Sequence, residues 1–464
     1  MAKGRIYIIS IEGAGTSALA VIYKKMGWNV SGSDEGDHFY GDILKKNRIK
    51  VFGTYNAKNI PKDVTKVVYS TSAKEDNPEI IAARDRKIPL LSYPEALAEI
   101  FNQKIGIAVC GTHGKTTTTA ILANTFKELG LKPSALVGSK VKNWGGNSLA
   151  GSGDYFIIEA DEYQNKLGKY KPWAVILTSI DYDHPDFFKN FQEYKQVFID
   201  FVKKIPRHGL LIYCNDDADV IEVAKEAGCQ KISYGFSEGS MCKIENFEFQ
   251  INNFQINNSV SQTFEVFFKE NFFGKFKIGL AGKHNVLNTA AVIAFCHKLN
   301  IGGTKVAEAL KVFAGTSRRF EYVGENRGAF LIDDYAHHPR EIQTTLKAAK
   351  NIFPQRRIVT VFHPHSFSRT EALMSEFAQS FDNTDSVIVL DIYGSVREKA
   401  GNVNSQDLVR SINKYNPGKA QYIPTIEEAI DFLKEQMDQK DLIISMGAGD
   451  VWRVTHGLKN KYQR

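Results

Sequence analysis

One run of residues, Cys110-Gly111-Thr112-His113-Gly114-Lys115-Thr116-Thr117-Thr118-Thr119, carries the clearest chemistry in the chain. An apolar run from Ile105 to Val109 precedes it and reads as a short buried strand. A helical pattern from Ala120 to Leu129 follows and stops at Gly130. Strand, glycine-rich turn with lysine, then helix aims backbone N–H groups and a helix N-terminus at an anion, and the lysine adds a point charge. Gly111, Thr112, His113, Gly114, Lys115, Thr116 and Thr117 are therefore expected to cradle the phosphates of a nucleotide. Thr116 would offer its hydroxyl to the Mg²⁺ that travels with it. The spacing is compressed, because Val109 stands where the full Walker pattern has a glycine. An ordinary turn is the competing reading, and the flanking strand and helix weigh against it.

Acids gather beside this loop. The strand Tyr155 to Ile158 ends in Glu159-Ala160-Asp161-Glu162-Tyr163, and the strand Ala174 to Leu177 is followed by Asp181-Tyr182-Asp183-His184-Pro185. Carboxylates at the end of a buried strand are costly unless something cationic collects them. The ends of parallel strands converge on one crevice. A metal bridging nucleotide and acceptor would explain Glu159 and His184; solvated helix caps are the bland alternative. Gly282-Lys283-His284-Asn285-Val286-Leu287-Asn288 opens an apolar helix that runs to His297. Asn285 and Asn288 are three apart and share a face, with His284 nearby. Helix capping accounts for one of these polar residues and leaves the others open to a ligand. Arg318-Arg319-Phe320-Glu321 precedes a strand, Ala329 to Ile332, that ends Asp333-Asp334-Tyr335-Ala336-His337-His338-Pro339. The strand Ile358 to Phe362 ends His363-Pro364-His365-Ser366-Phe367-Ser368-Arg369. Two histidine clusters with Arg369 point to a site rather than to isolated structural histidines.

These groups need positioning elements. Ile6 to Ile9 reads as a strand, Glu12-Gly13-Ala14-Gly15-Thr16-Ser17 as a turn, Ala18 to Lys25 as a helix, and Val30 to Asp34 as a second strand. That is a βαβ opening, with Asp34 roughly where a ribose-binding acid belongs. The glycine fingerprint is incomplete because Ala18 takes its third place, so a plain strand–helix turn remains open. Thr71-Ser72 follow a strand, Val67 to Ser70, at a sheet's ligand-binding edge. Lys142 to Ser148, with Asn143 and Asn147, is a polar loop. From Lys243 to Leu280 apolar and polar residues alternate, which predicts antiparallel hairpins forming an appended sheet. Elsewhere strands alternate with helices. The fold class is therefore α/β with three domains, each with a mainly parallel sheet: a Rossmann-like domain over 1–104, a P-loop domain with an added antiparallel sheet over 105–315, and a second Rossmann-like domain over 316–464.

The bulk composition agrees. The 464 residues carry a net charge of +7 without a block of like charge that would read as a nucleic-acid arm, so small anionic substrates suit it better. The five cysteines form no Cys-x-x-Cys pair, which implies neither a zinc site nor a disulfide framework and fits a cytoplasmic protein. The apolar start, Ile6 to Ile11, is too short to span a membrane.

Taken in order, Gly111 to Thr118, Glu159 to Glu162, Asp183-His184, Gly282 to Asn285, Arg318 to Phe320, Asp333 to Pro339 and the Pro364-His365 to Thr370 segment resemble the Mur ligases over essentially the whole chain. The resemblance implies an ATP-dependent joining of a carboxylate to an amine through an acyl phosphate. It implies UDP-N-acetylmuramic acid, L-alanine and ATP with Mg²⁺ as the small-molecule partners, and a monomer or weak dimer. A relative that adds a tripeptide in cell-wall recycling is the alternative, favoured by Glu162 to Lys166 and Asp181 to Phe188. By similarity, Lys115, Glu159, His184 and Arg369 are catalytic, and Thr116, Glu159 and His184 hold metal. His284, Asn285, Asn288, Arg319 and Asp334 would surround adenosine and phosphates. Gly13, Gly15, Asp34, Thr71, Ser72, Asn143 and Asn147 would serve the sugar nucleotide, and Tyr335, His338, His365 and Arg369 the amine. Ser10 and Glu12 stand where the family usually has glycines, and Ser366 where some members carry arginine. Two other classes remain: a folylpolyglutamate-type ligase, against which the region before the phosphate loop argues, and an ATP-binding regulatory module.

Overall fold

Three sheets follow one another along the chain in the computed structural model, which describes residues 3–36, 38–251, 260–394 and 401–459. The first has five parallel strands in the order Lys50–Phe52, Asn29–Ser33, Arg5–Ile9, Lys66–Tyr69, Leu90–Ser92. The chain starts on the middle strand, winds one way, then returns on the other side. The turn after Ile9 and the Ser70-Thr71 edge therefore flank the switch point where ligands bind in such sheets. The helix after that turn begins at Ala14 rather than Ala18, because Gly13 takes the extended N-cap conformation.

The second sheet has ten strands. Its middle is parallel: Leu210–Cys214, Ala174–Leu177, Ile105–Cys110, Tyr155–Glu159 and Ser134–Val141. Register pairs Cys110 with Leu177 and Val109 with Glu159, so the phosphate loop, the acidic segment and Thr178-Ser179 leave the sheet at one level. The alternating segment does form hairpins, Cys242–Ile251, Val260–Phe268 and Asn271–Ile278. They do not form a separate layer: Tyr234 pairs with Cys242, and the three strands extend the central sheet. Ser134–Val141 and Gly146–Leu149 make a further hairpin, and the Asn/Gly-rich loop is its turn.

The third sheet has six strands, Glu321–Asn326, Ala329–Asp334, Asp441–Met446, Arg357–Phe362, Ser386–Val389 and Ala420–Tyr422. Only its first pair is antiparallel.

The first two lobes share one apolar core. Phe101 at the end of the helix Tyr93–Phe101 packs 5.9 Å from Phe156 and 5.6 Å from Tyr170, ring to ring. The third lobe has cores of its own. It joins the second through a short ladder, in which Lys142 N donates to Gly315 O (3.1 Å) and Ser317 N donates to Lys140 O (2.8 Å). No helix among the described residues is long and apolar enough to cross a membrane.

Candidate active site

The loop Gly111–Gly114 turns sharply because two glycines allow it. Gly111 has φ +125° and Gly114 φ +82°, the region that favours glycine. A Cβ on Gly111 would meet Thr178 Oγ1 at 2.4 Å, and one on Gly114 would meet Asn288 Oδ1 at 2.5 Å. Ser179 fixes the loop from the next strand: its carbonyl accepts from Thr112 N (2.8 Å) and its hydroxyl from His113 N (2.9 Å). The helix then starts at Lys115 and runs to Glu128, opening before the sequence pattern suggested. Its first N–H groups have no partner within a helix and face the cavity beside the loop.

Lys115 Nζ donates to Gly111 O (2.5 Å) and Thr112 O (3.1 Å) and pairs with Glu162 Oε2 at 3.0 Å. Burial disfavours its charge, but Glu162, Asp161 and Glu159 outweigh burial and raise its pKa. Glu162 is fully buried and also accepts from the Tyr194 hydroxyl at 2.9 Å. Thr116 Oγ1 donates to Glu159 Oε1 (2.8 Å), and Gly138 N donates to the other oxygen (2.7 Å). A hydroxyl and a carboxylate so placed are oxygen donors of the kind Mg²⁺ takes. His184 does not join that pair directly. It stands with Asp161 and Glu162, the three presenting ligand atoms within 4.8 Å of one another.

The third lobe closes over this group. Arg369, 4% exposed, donates from Nε to Asp183 Oδ1 at 2.8 Å and from Nη1 to His365 O at 2.8 Å. Burial works against the Asp183 charge, but Arg369 and His184 hold its carboxyl well below the usual range. His113 bridges the lobes, with Nε2 3.1 Å from Asp181 Oδ2 and Nδ1 3.3 Å from Glu341 Oε1. Burial alone would lower its pKa; those two carboxylates push it up to about 9. Asp181 also takes Arg340 Nε at 2.9 Å, so the His113–Asp181–His338 cluster is already served by cations. Arg319 lies 3.4 Å from Thr116 Oγ1 and 3.8 Å from Glu341, under the Tyr335 ring. His337 is held down to about 4 by burial and is therefore neutral near pH 7.

Two cavities of about 380 Å³ each meet here and share His113, Gly114, Arg319 and Glu341. The first draws on all three lobes, with Gly13, Gly15, Thr71, Lys115, Thr116, Glu159, His184, Tyr335 and His338 in its walls. The second is more apolar and is lined by Thr117, His284, Asn285, Asn288, Phe320 and Asp334. Asn288 Nδ2 donates to Asn285 Oδ1 (3.1 Å), so the two amides act together. His284 is neutral, lowered to about 4 by burial and Arg319, and its buried Nδ1 has no hydrogen-bond partner among the described residues.

Other sequence-derived candidates lie outside these walls. Asp34 is buried and accepts from Glu12 N (2.7 Å) and the Tyr55 hydroxyl (3.2 Å) behind the first turn. Ser72 shares a hydrogen bond with Ser70. Asn143 ties Val312 O and Ala314 N at the far end of the hairpin. Asn147 supports the first turn from behind, donating to Ala14 O at 2.7 Å. His365 stacks on Tyr393. The cavity walls also include Asp161, Lys166, Asp183, His337, Glu341 and Tyr93, which sequence reasoning did not select. Asp161, Lys166, Asp183 and His337 sat within or beside the motifs already singled out. Glu341 reads in sequence as an ordinary first-turn helix acid.

A phosphate loop, an acidic strand end and a third lobe bringing Arg369 across the cleft define an ATP-dependent ligase, and the chain belongs to the Mur ligase family. The family's catalytic domain matches residues 5–105, its middle domain 109–296 and its glutamate ligase domain 318–449. The UDP-N-acetylmuramate–L-alanine ligase of Desulfitobacterium hafniense is 38% identical over 98% of this chain and 99% of its own length. That of Clostridium acetobutylicum is 38% identical over 97% and 96%. Among solved structures, the UDP-N-acetylmuramate–alanine ligase of Thermotoga maritima superposes with a TM-score of 0.82 at 25% identity, covering 98% of both chains. A murein peptide ligase from Psychrobacter arcticus shares the fold, with a TM-score of 0.74 at 24% identity over 98% of both chains.

Proposed function

We infer that the chain joins L-alanine to the carboxylate of UDP-N-acetylmuramic acid at the expense of ATP, a step in peptidoglycan precursor synthesis. The observation that carries this reading is the meeting of all three lobes at one cavity, on a chain 38% identical over nearly its whole length to ligases of that name. A carboxylate is a poor acyl donor. It first takes the γ-phosphoryl group; the amine then attacks the acyl carbon and phosphate leaves. Such chemistry needs positioning and charge neutralisation rather than a protein nucleophile.

Lys115 and the helix N-terminus neutralise the transferring phosphoryl group. Thr116 and Glu159 would hold one Mg²⁺, and His184 with Asp161 and Glu162 would offer donors for a second; a metal bound there would supply charge neutralisation. The pocket of His284, Asn285, Asn288 and Asp334 receives adenosine, and the Gly13–Thr16 turn receives the UDP group, with Asp34 and Asn147 bracing that turn from behind. His337 and Tyr335 face the amino acid from the cavity wall, and Arg369, which lines neither cavity and is fixed by Asp183 and His365, stands behind them with its positive charge. Reduced cysteines suit a cytoplasmic setting.

The decisive experiment is a substrate panel in a phosphate-release assay. Release should require both UDP-N-acetylmuramic acid and L-alanine. Release driven by the tripeptide and not by alanine would assign the recycling activity instead, and release indifferent to both would overturn the ligase reading.

A further inference from the structure

Lys166 is a cation in the wall of the three-lobe cavity for which the scheme above has no use. The backbone goes out of its way to deliver it. Gln164 (φ 56°, ψ 29°) and Asn165 (φ 52°, ψ 36°) are consecutive left-handed residues, neither a glycine, and they break the 3₁₀ segment Tyr163–Lys169 just before it. Such conformations persist only where surrounding structure enforces them. The side chain is 12% exposed, its Nζ 2.5 Å from Asp161 Oδ2 and 5.3 Å over the Tyr163 ring. Asp161 is in turn ringed by Lys166, His184 and Lys115, whose charges overcome burial and hold its carboxyl below the usual range.

The surroundings say what this ammonium faces. Tyr93 packs against Gly15, where an added Cβ would meet its ring at 2.5 Å, and it also lies within electrostatic reach of Asp161 and Glu159. Lys166 therefore lines the same cavity as the first-lobe turn and the phosphate loop. A sugar nucleotide whose diphosphate lies at the turn must send its acid through this cavity to reach a γ-phosphate at the loop. An ammonium has three donors, and Asp161 takes one.

We propose that Lys166 binds the acceptor carboxylate of the sugar nucleotide, holding one oxygen while the other attacks the γ-phosphorus of ATP and the bond to the β–γ bridging oxygen breaks to release ADP, and that Asp161 orients it. This rests on the ligase reading. The test is calorimetric titration of two ligands, UDP-N-acetylmuramic acid and UDP-N-acetylglucosamine, which differ by the lactyl group that carries the carboxylate, into the full-length wild type, Lys166→Met and Lys166→Arg. Lys166→Met should weaken the muramic-acid nucleotide by about tenfold, ~1.4 kcal/mol, leave the glucosamine nucleotide within twofold, and be largely rescued by Lys166→Arg. Equal weakening of both ligands would assign Lys166 to the diphosphate, and no weakening of either would make the Asp161 pair purely structural; both outcomes overturn the proposal. If Lys166→Met melts below the assay temperature, Lys166→Gln, which keeps a hydrogen bond to Asp161, is titrated to the same criteria. A wild type that fails to bind UDP-N-acetylmuramic acid would instead sink the ligase reading, so the two failures are distinguishable.

Discussion

Lys115 is held by two loop carbonyls and by Glu162, a carboxylate with no exposure of its own. Its removal therefore does two things. We expect Lys115→Ala to lower turnover by about 10³-fold or more, as for loss of a charge aimed at the transition state, in the phosphate-release assay. A melt should also show a drop of a few degrees, because Glu162 loses its lysine and keeps the Tyr194 hydroxyl and the more distant His184 ring. His113 makes a prediction about pH. Its folded pKa of about 9 lies above the ordinary 6.5, so its stabilisation is complete below pH 6.5 and is lost as pH rises through 9. Melting temperature should fall across that window, and His113→Gln should flatten the slope. Placement was legible where a residue type sits at a fixed distance from a strand end, as with Lys115, Thr116 and Glu159, which line one cavity. Pairings were illegible where a partner comes from elsewhere in the chain. Glu341 lies 228 residues from His113, and nothing local marks it as the other half of a bridge.

Elements constrain residues through close approach. The helix Lys283–Lys298 presses Asn288 against Gly114, where a side chain would meet the amide oxygen at 2.5 Å. Gly114→Ala must bear that clash together with a left-handed φ that costs about 1–2 kcal/mol for a non-glycine residue. The expected outcome is a lower melting temperature and at least tenfold weaker ATP binding by calorimetry; unchanged affinity would mean that the loop adapts. Parallel strands and their helices could be read from short apolar runs, and the period-two pattern announced the hairpins. What alternation does not encode is which edge a hairpin joins. The pairing of Tyr234 with Cys242 made an expected appendage into the continuation of the central sheet. Asn143 and Asn147 show the same limit, since a polar loop that looks like a ligand surface serves as a turn and a brace.

The whole molecule is two lobes fused through one core and a third with cores of its own, joined to them by ion pairs, a short ladder and a few apolar contacts such as Phe39 on Trp452 and Ala281 in the third lobe's core. Arg369 and Asp183 form the most buried of the ties across the cleft. Removing one partner of such a pair strands the other and costs about 3–5 kcal/mol. Arg369→Ala should therefore raise the apparent requirement for alanine and also loosen the third lobe. Small-angle scattering would register a larger radius of gyration than for the wild type, and an unchanged radius would assign closure to the other contacts.

The strand Ser134–Val141 serves two masters. At Gly138 its amide steadies Glu159, and two and four residues later Lys140 and, just past the strand's end, Lys142 grip the connector to the third lobe. A swing that peels the connector away would tug on the same ribbon that seats the Glu159 carboxylate. Any movement of the third lobe is thus expected to reach the acid beside the phosphate loop through a single span of backbone.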